Sequence, residues 1–153
     1  MTVTSLNPAS QFDVALVRNA AADLRPMLMS VRNKALATQH LVQGAKSLGS
    51  IVLYYAKWLG VWHKSGLETT WAMHFSGQQF PNGRHAVAAL QIKTEMAAVT
   101  ALVSGKAHWI ALPHLESTRR ALITNLLKTM NALDAAIESC AVLEGRIERG
   151  RLK

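Results

Sequence analysis

ITNLLKTMNALDAAIESCAVLEGRI, residues 123–147, decides the fold class. Ile123, Leu126, Met130, Leu133, Ile137, Cys140 and Ile147 fall on steps of three and four, with Glu144 as the polar intrusion. That is the period of one helix face and not the alternation of a strand. A stripe sustained this far suits the spine of a bundle or a seam between two copies of the chain. Asp134, Glu138, Glu144 and Glu148 are assigned to its exposed or terminal faces. Gly150, with the basic tail Arg149, Arg151 and Lys153, fits a C-terminal helix end.

Working outward, a second long stripe starts at Val17 and continues through Ala21, Leu24, Leu28, Val31, Ala35, Thr38, Val42 and Ala45. Asn7-Pro8 reads as the opening of this helix, because Asn caps free N–H groups and Pro is accepted in a first turn. Pro26 interrupts the pattern by removing an N–H and crowding the carbonyl of Ala22. A kink, or a new helix capped by Asp23, both satisfy that constraint. A third region, 83–105, carries Ala89, Ile92, Met96, Val99 and Val103 behind an Asn82 cap. Trp109 and Pro113 lie in the connection that follows it.

Residues 50–64 differ, because they are apolar on two adjoining stripes. Val52 continues the row Val17, Leu24, Val31 at seven-residue steps, so Val52, Tyr55, Leu59 and Trp62 are expected to face inward. Tyr54, Trp58 and Val61 are then left for a second contact, with Trp58 its main anchor. Residues 65–83 are the least regular, with Gly66, Gly77 and the turn signal Phe80-Pro81-Asn82-Gly83 around one short helix near 67–75. The expected architecture is all-α: a single-domain helical bundle over 1–153, of about four to five helices with a long C-terminal one.

Composition narrows the function classes. Seventeen Lys and Arg against nine Asp and Glu give a net charge of +8, which favours acidic partners. A generally basic, solvated surface produces the same balance. The lone Cys140 excludes an intramolecular disulfide and suits a reducing compartment. The first residues lack a charged start and an apolar run, so no signal peptide is expected. The longest apolar stretch, 51–62, contains Lys57 and is shorter than the roughly 20 residues of a membrane span. Together these point to a cytoplasmic protein without a membrane span.

Two surfaces stand out. Arg18, Arg25, Arg32 and Lys46 fall at multiples of seven along the first helix, and Lys34, Lys57 and Lys64 extend an acid-free stretch. Rows of cations suit phosphates or an acidic protein face, although long cationic side chains also cover the edge of a core. Tyr54, Tyr55, Trp58, Trp62, Trp71, Phe75 and Phe80 concentrate most of the aromatics, with Lys57, His63, Lys64 and His74 between them. Such rings serve base stacking or protein interfaces, or simply fill a core.

Chemistry-bearing patterns are sparse. His63, His74 and His85 recur every eleven residues, but Gly66, Gly77 and Pro81 break the chain between them. No ligand pair of zinc-site type accompanies them, so no metal or cofactor is expected. Arg32-Asn33 precedes His40 at a longer interval than helical ribonucleases of the HEPN class use, which departs from that pattern. Cys140 on the apolar stripe reads as a core thiol. No catalytic template is present, and the expectation is a non-enzymatic accessory or inhibitor module. It would bind an acidic surface, most plainly another protein, through Arg18, Arg25, Arg32, Lys46, Lys57, Lys64, Tyr54 and Trp58. A nucleic-acid-binding protein is the alternative, and an enzyme with a dispersed His/Arg site is a third. Self-association through the C-terminal or the aromatic helix fits the same features.

Overall fold

All nine residues of the stripe from Val17 to Ala45 are buried, eight of them along one uninterrupted helix, α1, Val14–Gly44. The computed structural model describes residues 14–76, 80, 83–104, 114–145, 147–148 and 151–152. Asn7-Pro8, Gly77, Pro81, Asn82, Trp109, Pro113, Arg149, Gly150 and Lys153 lie outside them. Pro26 sits inside α1 and does not divide it, so Asp23 caps no second helix. The apolar face on both sides of the proline is continuous, and its packing holds the helix together across the lost N–H.

Helix α2, Leu48–Ser65, starts where Ser47 accepts a hydrogen bond from Ser50 N at 3.1 Å. It ends at Gly66, whose φ of +63° is the left-handed turn that favours glycine. The same glycine leads into α3, Leu67–Phe75. Then come α4, Gly83–Ser104, and α5, Leu115–Leu143. The chain is an all-α bundle in which α5 packs along both α1 and α4, while α2 lies against α1. The short α3 rests on α1 and α4.

Leu126, Met130, Leu133 and Cys140 are buried as the spacing requires, but Ile123 and Ile137 are only half-buried. Leu122, Thr129, Ala136 and Leu143 complete the buried face instead. The polar member, Thr129, satisfies its hydroxyl on Asn125 O at 2.9 Å. The helix stops short of Ile147. Gly145 has a φ of +80°, and its N–H donates to Val142 O at 3.0 Å, which closes the last turn. Beyond it the backbone pairs as a small antiparallel ladder, Ile147 with Leu152 and Glu148 with Arg151. Two-residue strands are too short to show any alternation in sequence.

The inward face of α2 corrects the sequence expectation. Ile51, Tyr55, Trp58, Leu59 and Trp62 are buried, with Trp58 at 1% exposure, whereas Val52 is 36% exposed. The row counted in sevens from Val17 does not carry across the break at Gly44, because α2 begins with its own phase at Ser47. Tyr54 and Val61 are half-buried. The aromatic cluster is therefore mainly core. Tyr55 Oη donates to Asn125 Oδ1 at 2.5 Å, Trp62 Nε1 to Thr100 Oγ1 at 3.2 Å, and Trp71 Nε1 to Ala89 O at 2.9 Å. These bonds tie α2 to α5 and α4, and α3 to α4.

By length and composition α4 is apolar enough to cross a membrane, with a third of that window buried in the bundle. Lys93 and Glu95 are scattered through its apolar residues, so it does not stand out in the sequence as an apolar stretch. Its buried face is the expected one: Ala89, Ile92, Met96, Val99 and Val103.

Candidate functional site

The stripe of cations on α1 is partly consumed inside the bundle. Arg25 Nε donates to Glu144 Oε2 at 2.6 Å and its Nη2 to Oε1 at 3.4 Å. The Glu144 side chain is only 6% exposed, so the polar intrusion in the α5 stripe is the buried half of an interhelix ion pair. Glu144 stands at the C-terminal end of α5 but is not a solvated acid, because Arg25 satisfies its charge where α1 and α5 meet. The same bond holds the Arg25 guanidinium above its ordinary pKa, against the opposing effect of burial. Arg32 Nε meets Asp134 Oδ1 at 3.0 Å, in a more exposed pair between the same helices. Arg18 is exposed, and its guanidinium lies beside Gly145. Lys46 is exposed in the α1–α2 connection.

Arg119, absent from the cations picked out in the sequence, has the same internal role. Its Nη1 donates to Val42 O and Gln43 O, both at 2.7 Å, and so closes the C-terminal end of α1. Glu116 accepts from its Nε and Nη2. Nothing local in the sequence marks this partnership, which spans more than seventy residues.

What remains open is a groove between α1 and α2. It has a volume of about 770 Å³ and is open to solvent. Its apolar lining comes from Pro26, Met27 and Val31 on one wall and Ala56, Gly60 and Val61 on the other. Lys34 stands on the α1 side, Lys57 and Lys64 on the α2 side, with Ser30 and Ser65 between them. The three lysines are exposed, and among the described residues no acid lines the groove and none of the three forms an ion pair. The helical register explains the placement: Pro26, Ser30 and Lys34 are spaced by four, and Lys57, Gly60 and Lys64 by three and four. That spacing was legible, but only the packing of α2 on α1 makes the two rows into one groove.

Of the residues expected to bind a partner, this brings together Lys57 and Lys64. Arg25 and Arg32 face α5 instead, and Trp58 lies in the core. A second groove between α4 and α5 is lined by Ala98, Ala101, Ala132 and Ala135, with Glu95 and Lys128 on it. Its opposite charges give it no net preference for one sign of partner.

The candidate reactive groups are dispersed. His63 and His40 are exposed, and His74 Nε2 lies 3.7 Å from Asp23 Oδ2. Burial, then Arg84 and Arg18, holds His85 below the usual imidazole range. Among the described residues no three His, Cys, Asp or Glu side chains gather as metal ligands. The Cys140 thiol is fully buried and pushed up to about 12, first by burial and then by Glu144. In the native protein at pH 8 it should resist a thiol reagent and react fully once denatured, as followed by absorbance of the released thiolate. Prompt labelling without denaturant would contradict its burial. The unfolded thiol ionises near 9.0 and the folded one near 12, so this group's contribution to stability is present below about 9 and lost as pH rises through that window.

Compared with known proteins, the chain matches no family model, no curated protein and no solved structure.

Proposed function

We propose that the chain is a small, non-enzymatic helical binding module that engages an acidic protein surface through the lysine-bearing face of α1 and α2. The observation that carries this reading is the α1–α2 groove, with Lys34, Lys57 and Lys64 around an apolar lining and no acid among its residues. A partner that covers it exchanges water for apolar contact and meets three cations without internal competition. Lys46, exposed at the end of the same hairpin, and half-buried Tyr54 on α2 extend this face. A cytoplasmic setting fits the lone, reduced Cys140.

Nucleic acid is the second reading, because the same lysines would meet phosphates. It is favoured less for a physical reason. A phosphate backbone gains nothing from Pro26, Met27 and Val31, and the arginines suited to bidentate phosphate contact at Arg25 and Arg32 already hold Glu144 and Asp134.

The test is affinity capture from the native host on wild type and on the triple variant Lys34→Glu, Lys57→Glu, Lys64→Glu, each with and without nuclease. A defined protein should be retained by the wild type with or without nuclease, be lost by the triple variant, and elute as salt rises. Exposed charges are screened over about 8 Å at physiological ionic strength, so the elution should track salt. The fold should survive, since these side chains are exposed. Charge reversal at Arg25 would be uninformative, because it sets a carboxylate against Glu144. Capture that nuclease abolishes would transfer the assignment to nucleic acid, and capture indifferent to the triple variant would remove the lysines from it.

A further inference from the structure

Gly60 lies well inside α2, with helical backbone and no positive φ. Glycine is among the poorest residues for a helix interior, so a reason for it is normally found in close packing. Here there is none among the described residues: a Cβ built at Gly60 would meet nothing within 4 Å. The bundle does not need this residue to be small. The missing side chain instead deepens the α1–α2 groove between Lys57 and Lys64.

We infer that the groove receives one amphipathic, acidic α-helix of a partner protein, with an apolar side chain of that helix seated over Gly60. This rests on the protein-binding reading above and names its occupant. The occupant is a helix because both walls are helices whose backbone groups are already bonded internally. An extended peptide would find no ladder there, whereas a helix brings its own hydrogen bonds and needs only a side-chain face. Charge sets the rest of its pattern. Lys57 and Lys64 are seven residues apart, about 10 Å along the α2 axis, which two acids at the same spacing on one edge of the incoming helix would match. An acid on its other edge meets Lys34. Toward the α1–α2 turn the surface stays apolar: Leu41 is 50% exposed and Leu53 54% exposed, each on the face of the groove lysine of its own helix. A single-chain anionic lipid fits less well. One headgroup does not span lysines two turns apart, and an alkyl chain in this open groove would stay wet.

The probe is a fluorescein-labelled peptide of roughly 18 residues, five helical turns, built from Leu, Ala and Glu with the apolar residues on one face and Glu at seven-residue spacing on its edges. A scramble of the same composition without a face is its control. Wild type should bind the peptide at least tenfold more tightly than the scramble, as read by fluorescence anisotropy. Gly60→Leu fills the depression and should weaken the peptide at least tenfold, with melting temperature unchanged or raised. Gly60→Ala should change affinity less than Gly60→Leu. Equal affinity for peptide and scramble, full binding by Gly60→Leu, or wild type preferring anionic phosphatidylglycerol vesicles to the peptide would each overturn the inference. If the native partner is lost by the triple lysine variant but kept by Gly60→Leu, the seat over Gly60 is wrong and the acidic-partner reading stands. If both variants keep it, both fail.

Discussion

Leu133→Asp should leave the protein without a cooperative native state. Leu133 is 0% exposed on the helix that packs against both α1 and α4. Losing the buried leucine side chain forfeits roughly 1.5–3 kcal/mol of transfer free energy. The incoming carboxylate finds no cation among the buried residues facing it, and an uncompensated buried charge costs several kcal/mol more. The sum is comparable with the whole stability of a domain, about 5–15 kcal/mol. Circular dichroism should show lost helicity and no sigmoidal melt. Leu127→Asp on the same helix is the control, since Leu127 is 45% exposed and its substitution should cost little. A soluble Leu133→Asp variant that melts cooperatively with wild-type helicity would mean that α5 is not the spine of this bundle.

The stripes that predict these helices differ in how far they could be trusted, and the reason is physical. All nine positions of the first stripe are buried, because α1 keeps one phase from Val17 to Val42 and the turn then tucks Ala45 under. On α4 the phase is equally plain from Ala89 to Val103. Phase failed where it was carried across a helix end. Ser47 restarts the chain as a cap, and the row of sevens from Val17 to Val52 then has no meaning. Within α2 alone, Ile51, Tyr55, Trp58, Leu59 and Trp62 follow the ordinary steps of a buried face. The candidate surface was only partly legible. Lys57 and Lys64 could be picked out, but Arg25 and Arg32 could not be discounted. Their partners Glu144 and Asp134 lie more than a hundred residues away and meet them only through tertiary packing. Gly60 carried the least signal, since its meaning lies in what does not fill the space beside it.

Trp58 separates the two phases of α2 in a single measurement. It is 1% exposed and among the largest fully buried side chains, so Trp58→Ala should cost about 3–5 kcal/mol through lost burial and the cavity left behind. For a chain of this size each kcal/mol moves the melting temperature by roughly 2–4 °C, so the midpoint should fall by about 6–20 °C. Trp58→Phe gives up only part of the ring area and keeps an aromatic side chain in the same space. It should recover more than half of the stability that alanine loses. Val52→Ala, at an exposed position, should stay within about 0.5 kcal/mol of wild type. Partner binding should respond to Trp58→Ala only as far as folding does, with affinity restored when the variant is measured well below its melting midpoint. A variant that melts like wild type yet cannot bind would put Trp58 back on the surface and Val52 inside. The opposite ordering of melting temperatures, Val52→Ala below Trp58→Ala, would require the same reversal, because only a helix rotated about its axis exchanges the burial of those two residues.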